Sequence, residues 1–401
     1  MQFRAIVAAA LAFGLVIAPA MAQKKVGPGV TDTEIKIGQT MPYSGPASAY
    51  ATIGKAESAY IAMINDQGGV NGRRINLISL DDSYSPPKTV EQTRKLVEQE
   101  EVLMIWQSLG TPTNTAIQKY LNAKKVPHLF LATGASKWAD PKNFPWTMGF
   151  NPTYQAEARI YAQHILKTKP DAKLAILYQN DDFGKDYLHG FKGMLGDRGA
   201  KMIVGEQSYE VTDPTIDSQI VALKSSGADT LLTFATPKFA AQVIRKVAEL
   251  GWKPMHYMTN VSASVSAVLA PAGVERAAGI VSAVYFKDLS DPQYKNDPAA
   301  KAWLEWMQKY HKSGDVNDAF NVYGYIVGQV LVHVLKACGD DLTRENVMKQ
   351  AANLKGLELP LMLPGVKIST SPTDFNPIGE MQLARFDGKR WVPTGEVLSG
   401  R

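Results

Sequence analysis

The stretch that most constrains this chain is residues 106–136, WQSLGTPTNTAIQKYLNAKKVPHLFLATGAS. It reads as strand end, small-residue loop, helix, strand and a second small-residue loop. That order brings two Gly/Ser/Thr turns to one edge of a parallel sheet. In open α/β sheets ligands sit outside the carboxyl ends of strands, where loop N–H groups and helix N-termini are free to hold an anion. Ser108, Gly110, Thr111 and Thr113 crowd the first loop, and Thr133, Gly134 and Ser136 the second. Helix capping accounts for either loop alone. Two of them one βα unit apart point to a binding edge.

The same alternation extends in both directions. EIKIGQTMPYSGP is an alternating strand ending in a Pro/Ser/Gly loop. An Ala-rich helix over 51–66 then stops at Gly68-Gly69, and a strand over 75–80 is followed by a helix over 86–99. Helix-length connections between strands make a parallel sheet the economical solution. A second α/β unit follows, with helices at 155–166, 215–226 and 239–251 and strands at 173–178, 202–209, 230–234 and 255–259. Its strand ends offer loops at 180–184, 234–237 and 259–264. Beyond Tyr285 the pattern changes to helices over 299–312, 320–336 and 343–354, then short strands with an Asp387-Gly388 turn.

At 401 residues, with 45% hydrophobic and 20% charged residues, the chain has material for two packed domains. No Pro- or Gly-rich linker separates them, which suggests several chain crossings. Residues 1–22 read as a secretory signal peptide: Arg4, an apolar run over 5–17, and Ala20-Met21-Ala22 before the cut. Its loss removes one positive charge and takes the formal +5 to +4, too little to argue for nucleic acid. Export to a periplasm is expected. The lone Cys338 excludes an internal disulfide framework.

IKIGQTMPYSGP, the helix leading into NDQGGVNGRRINLISLDDSYSP, the loops GTPTNTA and ATGAS, and YQNDDFGKDY together resemble the periplasmic solute-binding proteins of ABC importers, specifically the leucine/isoleucine/valine-binding type. The resemblance spans nearly the whole mature chain. It implies a type I periplasmic-binding-protein fold: α/β, with two Rossmann-like lobes of parallel-rich sheets joined by three crossovers and closing on a ligand by hinge motion. The implied lobes are 30–149 plus 289–377, and 150–288 plus 378–401, with crossovers near 149–152, 286–290 and 376–379.

In that family the first lobe holds a ligand carboxylate through loops that align with Leu109–Thr111 and Ala132–Gly134. Thr133 matches the family threonine. Gly110 stands where a serine is usual, so Thr111 or Ser108 is left to supply that hydroxyl. Each charge-assisted bond there is worth roughly 1.5–3 kcal/mol. The second lobe of the amino-acid binders clamps an ammonium with an acidic residue and tyrosines. Those positions fall here at Asn260 or Val261, and at Phe183 and Thr236, so a buried ammonium would lack its counter-charge. The expected ligand is therefore a small carboxylate with an uncharged aromatic or aliphatic remainder. The alternatives are a branched-chain amino acid, with Asp181 or Asp182 as the clamp, or a sensor presenting its ligand to a receptor. Asp181 and Asp182 also suit N-capping of the helix at Phe183. Tyr43 and Ser44 in the PYSGP loop, Phe150 and Tyr154 near the first crossover, and Phe320 and Tyr323 on a later helix are further cleft candidates. The resemblance implies no cofactor, a monomer, and a membrane permease as partner.

An enzyme reading fares poorly. Ser85-Pro86-Pro87-Lys88, Tyr178-Gln179-Asn180 and Lys312-Ser313-Gly314 follow the order of the serine acyl-enzyme motifs. That chemistry needs Ser85 and Lys88 one turn apart on a buried helix start and Lys312-Ser313-Gly314 on a strand beside them. Here Lys312 ends a polar helix and Tyr178 ends a strand of the other unit. His128, His164, His189, His256, His311 and His333 show no metal-binding spacing.

Overall fold

The computed structural model describes residues 25–400; the expected signal peptide lies outside the described residues. Two sheets organise the chain. The first is built from β1 (Glu34–Met41), α1 (Ala51–Asp66), β2 (Arg74–Asp81), α2 (Pro86–Arg94), β3 (Met104–Trp106), α3 (Thr111–Ala123), β4 (His128–Leu131) and β5 (Thr147–Gly149). All five strands are parallel, in the order β2-β1-β3-β4-β5. The direction of winding reverses between β1 and β3. A crevice at the carboxyl ends of these strands is where such a sheet takes ligands.

The second sheet follows α4 (Tyr154–Thr168). It comprises β6 (Leu174–Gln179), α5 (Asp182–Leu195), β7 (Ile203–Tyr209), α6 (Asp217–Ser225), β8 (Thr230–Phe234), α7 (Pro237–Glu249), β9 (Met255–Met258) and β10 (Val281–Val284). After α8 (Pro298–Tyr310), α9 (Ala319–Cys338) and α10 (Arg344–Ala351), it is completed by β11 (Glu380–Phe386) and β12 (Trp391–Ser399). The order is β12-β11-β10-β9-β8-β6-β7, parallel except for the last hairpin. Its switch point lies between β6 and β8, so the loops after β6, β8 and β9 face the crevice of the first sheet.

Local chemistry sets several boundaries. Pro237 occupies the first turn of α7, where its missing N–H costs nothing, and starts that helix two residues ahead of the Phe239 expected from periodicity. The helix over 86–99 is α-helical only to Arg94 and closes as a π turn over Lys95–Gln99. Helix α9 returns from the second lobe and packs on α1 through glycines. A Cβ on Gly328 would lie 2.4 Å from Tyr60 Cδ1, and one on Gly324 2.8 Å from Ala56 Cβ. The two backbones approach only because these side chains are missing. One cluster of buried apolar residues, from Ile35 and Trp106 through Tyr154 and Tyr323 to Leu383, runs through both lobes and the crossovers. Cys338 is buried within it, and burial pushes its thiol up to about 12, which leaves it protonated and unreactive.

Candidate ligand cavity

Between the two sheets lies a cavity of about 560 Å³, mouth included. The first lobe supplies the turn into α3. Leu109 pairs with Ala132 across the strand ends, and Gly110 adopts φ 100°. A side chain at this position would meet Tyr84 Cε2 at 2.4 Å, so the turn requires glycine for both its dihedral and its space. Tyr84 is itself left-handed, like Ser83 before it, with φ values of 57° and 52°, and this swings its ring onto Gly110. The turn's carbonyls are occupied from within the helix. Asn114 Nδ2 donates to Ser108 O at 2.8 Å and to Gly110 O at 2.7 Å, while Thr113 Oγ1 donates to Gly110 O at 3.0 Å. With acceptors neutralised and a helix N-terminus beside them, this end of the cavity favours an anion.

Thr111 lines the cavity and Thr133 stands directly behind it, their hydroxyl oxygens 2.6 Å apart. Thr133 Oγ1 already accepts from Trp138 Nε1 and from the Tyr154 hydroxyl, each at 3.3 Å. Its own proton therefore goes to Thr111, and the Thr111 proton is left to point into the cavity. Thr133 is fully buried and acts on the cavity through Thr111.

The second lobe contributes Phe183, Thr236, Asn260 and Val261 from the loops after β6, β8 and β9. Thr236 Oγ1 donates to Gln179 Oε1 at 3.1 Å. Asp181 is turned into its own helix, where Oδ1 accepts from the N–H groups of Phe183 at 2.9 Å and Gly184 at 3.3 Å, and Oδ2 from Gln179 Nε2. Asp182 lies outside the cavity and forms a 2.7 Å ion pair with Lys137 of the first lobe. With Ser136 Oγ donating to Asp186 Oδ2 and Tyr50 OH donating to Val261 O at 3.0 Å, these contacts hold the lobes closed. The floor comes from the crossovers and α9: Asn151, Tyr154, Tyr285, Phe286, Phe320 and Tyr323, with the Tyr323 hydroxyl donating to Asn151 Oδ1 at 2.7 Å.

Eleven of the residues picked from the sequence thus meet at one cavity: Leu109, Gly110, Thr111, Ala132, Tyr154, Phe183, Thr236, Asn260, Val261, Phe320 and Tyr323. Seven do not reach it. Ser108 is buried against Thr40, accepting its N–H at 3.2 Å. Thr133 stands behind Thr111, Gly134 packs under Tyr154, and Phe150 lies in the core between Phe130 and Tyr323. Tyr43 is held 2.6 Å from Ser79 Oγ, Ser44 donates to Asp81, and Asp182 serves the rim. The sequence reading missed Tyr50, Ile53, Tyr84, Asn151, Tyr285 and Phe286. Tyr50 and Ile53 follow the same PYSGP loop that drew attention to Tyr43, one helical turn further on. Nothing in SYSPP announces two successive left-handed residues.

The sequence reading also missed a carboxylate. Glu157 on α4 is fully buried behind Asn260 and accepts from the Asn260 N–H and side-chain amide, from Tyr187 and from Tyr161. Burial pushes its carboxyl up to about 7, against those four donors.

Two α/β lobes with three chain crossings and a ligand-sized cavity between their switch points define a type I periplasmic binding protein. The chain belongs to the periplasmic binding protein family, whose model matches residues 34–390. Leu/Ile/Val-binding protein homolog 7 of Brucella abortus (strain 2308) is 25% identical over 362 residues, 85% of this chain and 86% of that protein. In fold the chain is similar to a branched chain amino acid ABC transporter protein from Thermus thermophilus with bound valine. That match has TM-score 0.82 and 18% identity and covers 92% and 97% of the two chains. A fatty acid ABC transporter substrate-binding protein from Thermomonospora curvata matches at TM-score 0.77 and 24% identity, over 94% and 95%.

Proposed function

We propose that this protein is the extracytoplasmic solute-binding component of an ABC importer, and that it captures a small carboxylate carrying no amine. The observation behind this reading is the character of the cavity wall. Eight of its seventeen residues are aromatic, and no Asp, Glu, Lys, Arg or His is among them. The carboxylate is held at the start of α3 by the Thr111 hydroxyl and the N–H groups of the first helical turn, those of Leu109 and Gly110 being spent on Thr40 O and Ala132 O. Phe183, Thr236 and Asn260 close over the remainder from the second lobe. An ammonium in this wall meets only neutral acceptors, and its desolvation costs several kcal/mol without a counter-charge. The description of the Thermomonospora curvata neighbour, a fatty acid binder, is in keeping with an amine-free acid in this fold. The names of the other relatives favour a branched-chain amino acid, and Glu157, bonded to the cavity residue Asn260, is a carboxylate that would support that reading. It is already spent on four donors and does not line the cavity.

Closure brings the outer faces of the lobes, 30–149 with 289–377 and 150–288 with 378–401, into the one geometry a permease reads, after export and removal of residues 1–22. A thermal-shift screen of ligand-stripped protein tests this. A ligand at a hundred times its dissociation constant stabilises the folded state by about 2.7 kcal/mol. Benzoate and phenylpropanoid acids are expected to raise Tm where leucine, isoleucine and valine do not. The reverse pattern overturns the proposal.

A further inference from the structure

Asn260 is the most polar side chain that the second lobe brings to the cavity, and its orientation is imposed from behind. Its backbone N–H donates to Glu157 Oε1 at 2.8 Å and its amide nitrogen donates to Oε2. Tyr187 from α5 donates to Oε2 at 2.7 Å, and Tyr161, one turn along α4, donates to Oε1. As an anion Glu157 accepts from all four donors; Tyr161 and Tyr187 also reach Met258 O and Thr259 Oγ1, so the tyrosines hold the carboxyl in place in either protonation state. Reversing the Asn260 amide would set its carbonyl oxygen against that anion. With the nitrogen committed to Glu157, Oδ1 accepts no hydrogen bond among the described residues, and Asn260 lines the cavity. Two neighbouring polar groups are committed: Val261 O accepts from Tyr50, and the Thr236 hydroxyl donates to Gln179.

We infer that Glu157 is a specificity-determining positioning residue: it locks Asn260 with its carbonyl oxygen toward the ligand, so the site selects carboxylates whose far end carries a hydroxyl donor. This rests on the carboxylate reading proposed above and narrows it. The proposed anion end is at Thr111 in the first lobe and the acceptor at Asn260 in the second, and eight aromatic residues line the cavity they share. A hydroxylated aromatic acid satisfies both ends. An acid lacking the hydroxyl leaves Oδ1 desolvated and unpaired, and an ether in its place sets one acceptor against another.

The test is a calorimetric titration of the ligand-stripped protein at pH 8 with two matched series. These are benzoate, 4-hydroxybenzoate and 4-methoxybenzoate, and the corresponding three 3-phenylpropanoates. In at least one series the hydroxy acid is expected to bind about tenfold or more tighter than the unsubstituted acid, with the methoxy acid weakest. In Glu157→Gln the new amide can donate to Asn260 Oδ1, which lets the Asn260 amide reverse and present its N–H groups. The hydroxy-to-methoxy ratio should then fall to within about threefold. A purely structural loss at this position weakens all acids alike and leaves that ratio unmoved, so an unchanged ratio overturns the role of Glu157. The wild-type series stands by itself if the variant does not fold: acids that bind with no hydroxyl preference overturn the inference but leave the carboxylate reading intact. Failure of every acid in both series overturns the two together.

Discussion

The two sides of the cavity are built on different principles. On the first lobe the cavity wall is mostly backbone: a left-handed glycine, the start of α3, and one threonine hydroxyl whose proton is freed by a second threonine behind it. On the second lobe the wall is made of side chains, Phe183, Thr236 and Asn260, with Thr236 and Asn260 oriented by groups one layer deeper. A backbone-built anion seat offers few ways to change what it binds, because altering it means altering the turn. A side-chain wall can change its preference with one substitution. The comparison predicts that the first lobe decides whether an acid binds and the second decides which acid.

The strongest way to break this division is Gly110→Ala. The added methyl meets Tyr84 at 2.4 Å in a backbone conformation that L-residues avoid. Affinity for every acid should fall about a hundredfold or more, measured by calorimetry, with the unfolding transition still cooperative. Retained affinity would show that the turn is not the seat. Thr111→Val removes a single donor to the carboxylate and should cost about tenfold, equally for all acids. Thr133→Val acts through Thr111 and should cost less in affinity than Thr111→Val. An equal or larger loss would place Thr133 in direct contact with ligand.

Glu157 carries a consequence for stability as well. Its carboxyl is raised from 4.5 to about 7 by burial, so the folded protein keeps a proton that the unfolded chain releases. The stability from this group is fully present below about pH 4.5, is lost as pH rises toward 7, and is flat above. In Glu157→Gln the fall in Tm between pH 5 and pH 7 should be smaller than in the wild type by about 2 °C or more. Identical slopes would mean that Glu157 titrates normally. The smallest effect is expected at the rim. Lys137→Ala removes an ion pair whose side chains are 34% and 53% exposed, and affinity should change by no more than about twofold.

Much of the fold was legible because its signals are local. Strand alternation, helix periodicity and small-residue turns placed β1 to β4, β6 to β9 and α1 to α10 within a few residues, and they placed Gly110 and Thr111 at a strand edge; β5 and β10, three and four residues long, were too short to carry an alternation signal. The cavity floor was less legible, since Tyr285 and Phe286 become neighbours of Tyr84 only through the crossovers. Glu157 was not legible at all. In YQAEARIYA it sits on an ordinary helix beside Arg159, and its burial comes from Asn260, more than a hundred residues away, folding over it. Asp181 shows the converse: an acidic residue in a suggestive loop that the structure spends on capping its own helix.

The central claim is that this cavity holds a carboxylate and has no place for an ammonium. It is tested most directly by titrating matched pairs that differ only in the amine: 3-phenylpropanoate against phenylalanine, and 4-methylpentanoate against leucine. In whichever pair binds, the amine-free acid should be tighter by about a hundredfold, the equivalent of roughly 2.7 kcal/mol of uncompensated desolvation. Equal or tighter binding of the amino acid would contradict the account, and would mean that the anion at Glu157 reaches the ligand through Asn260.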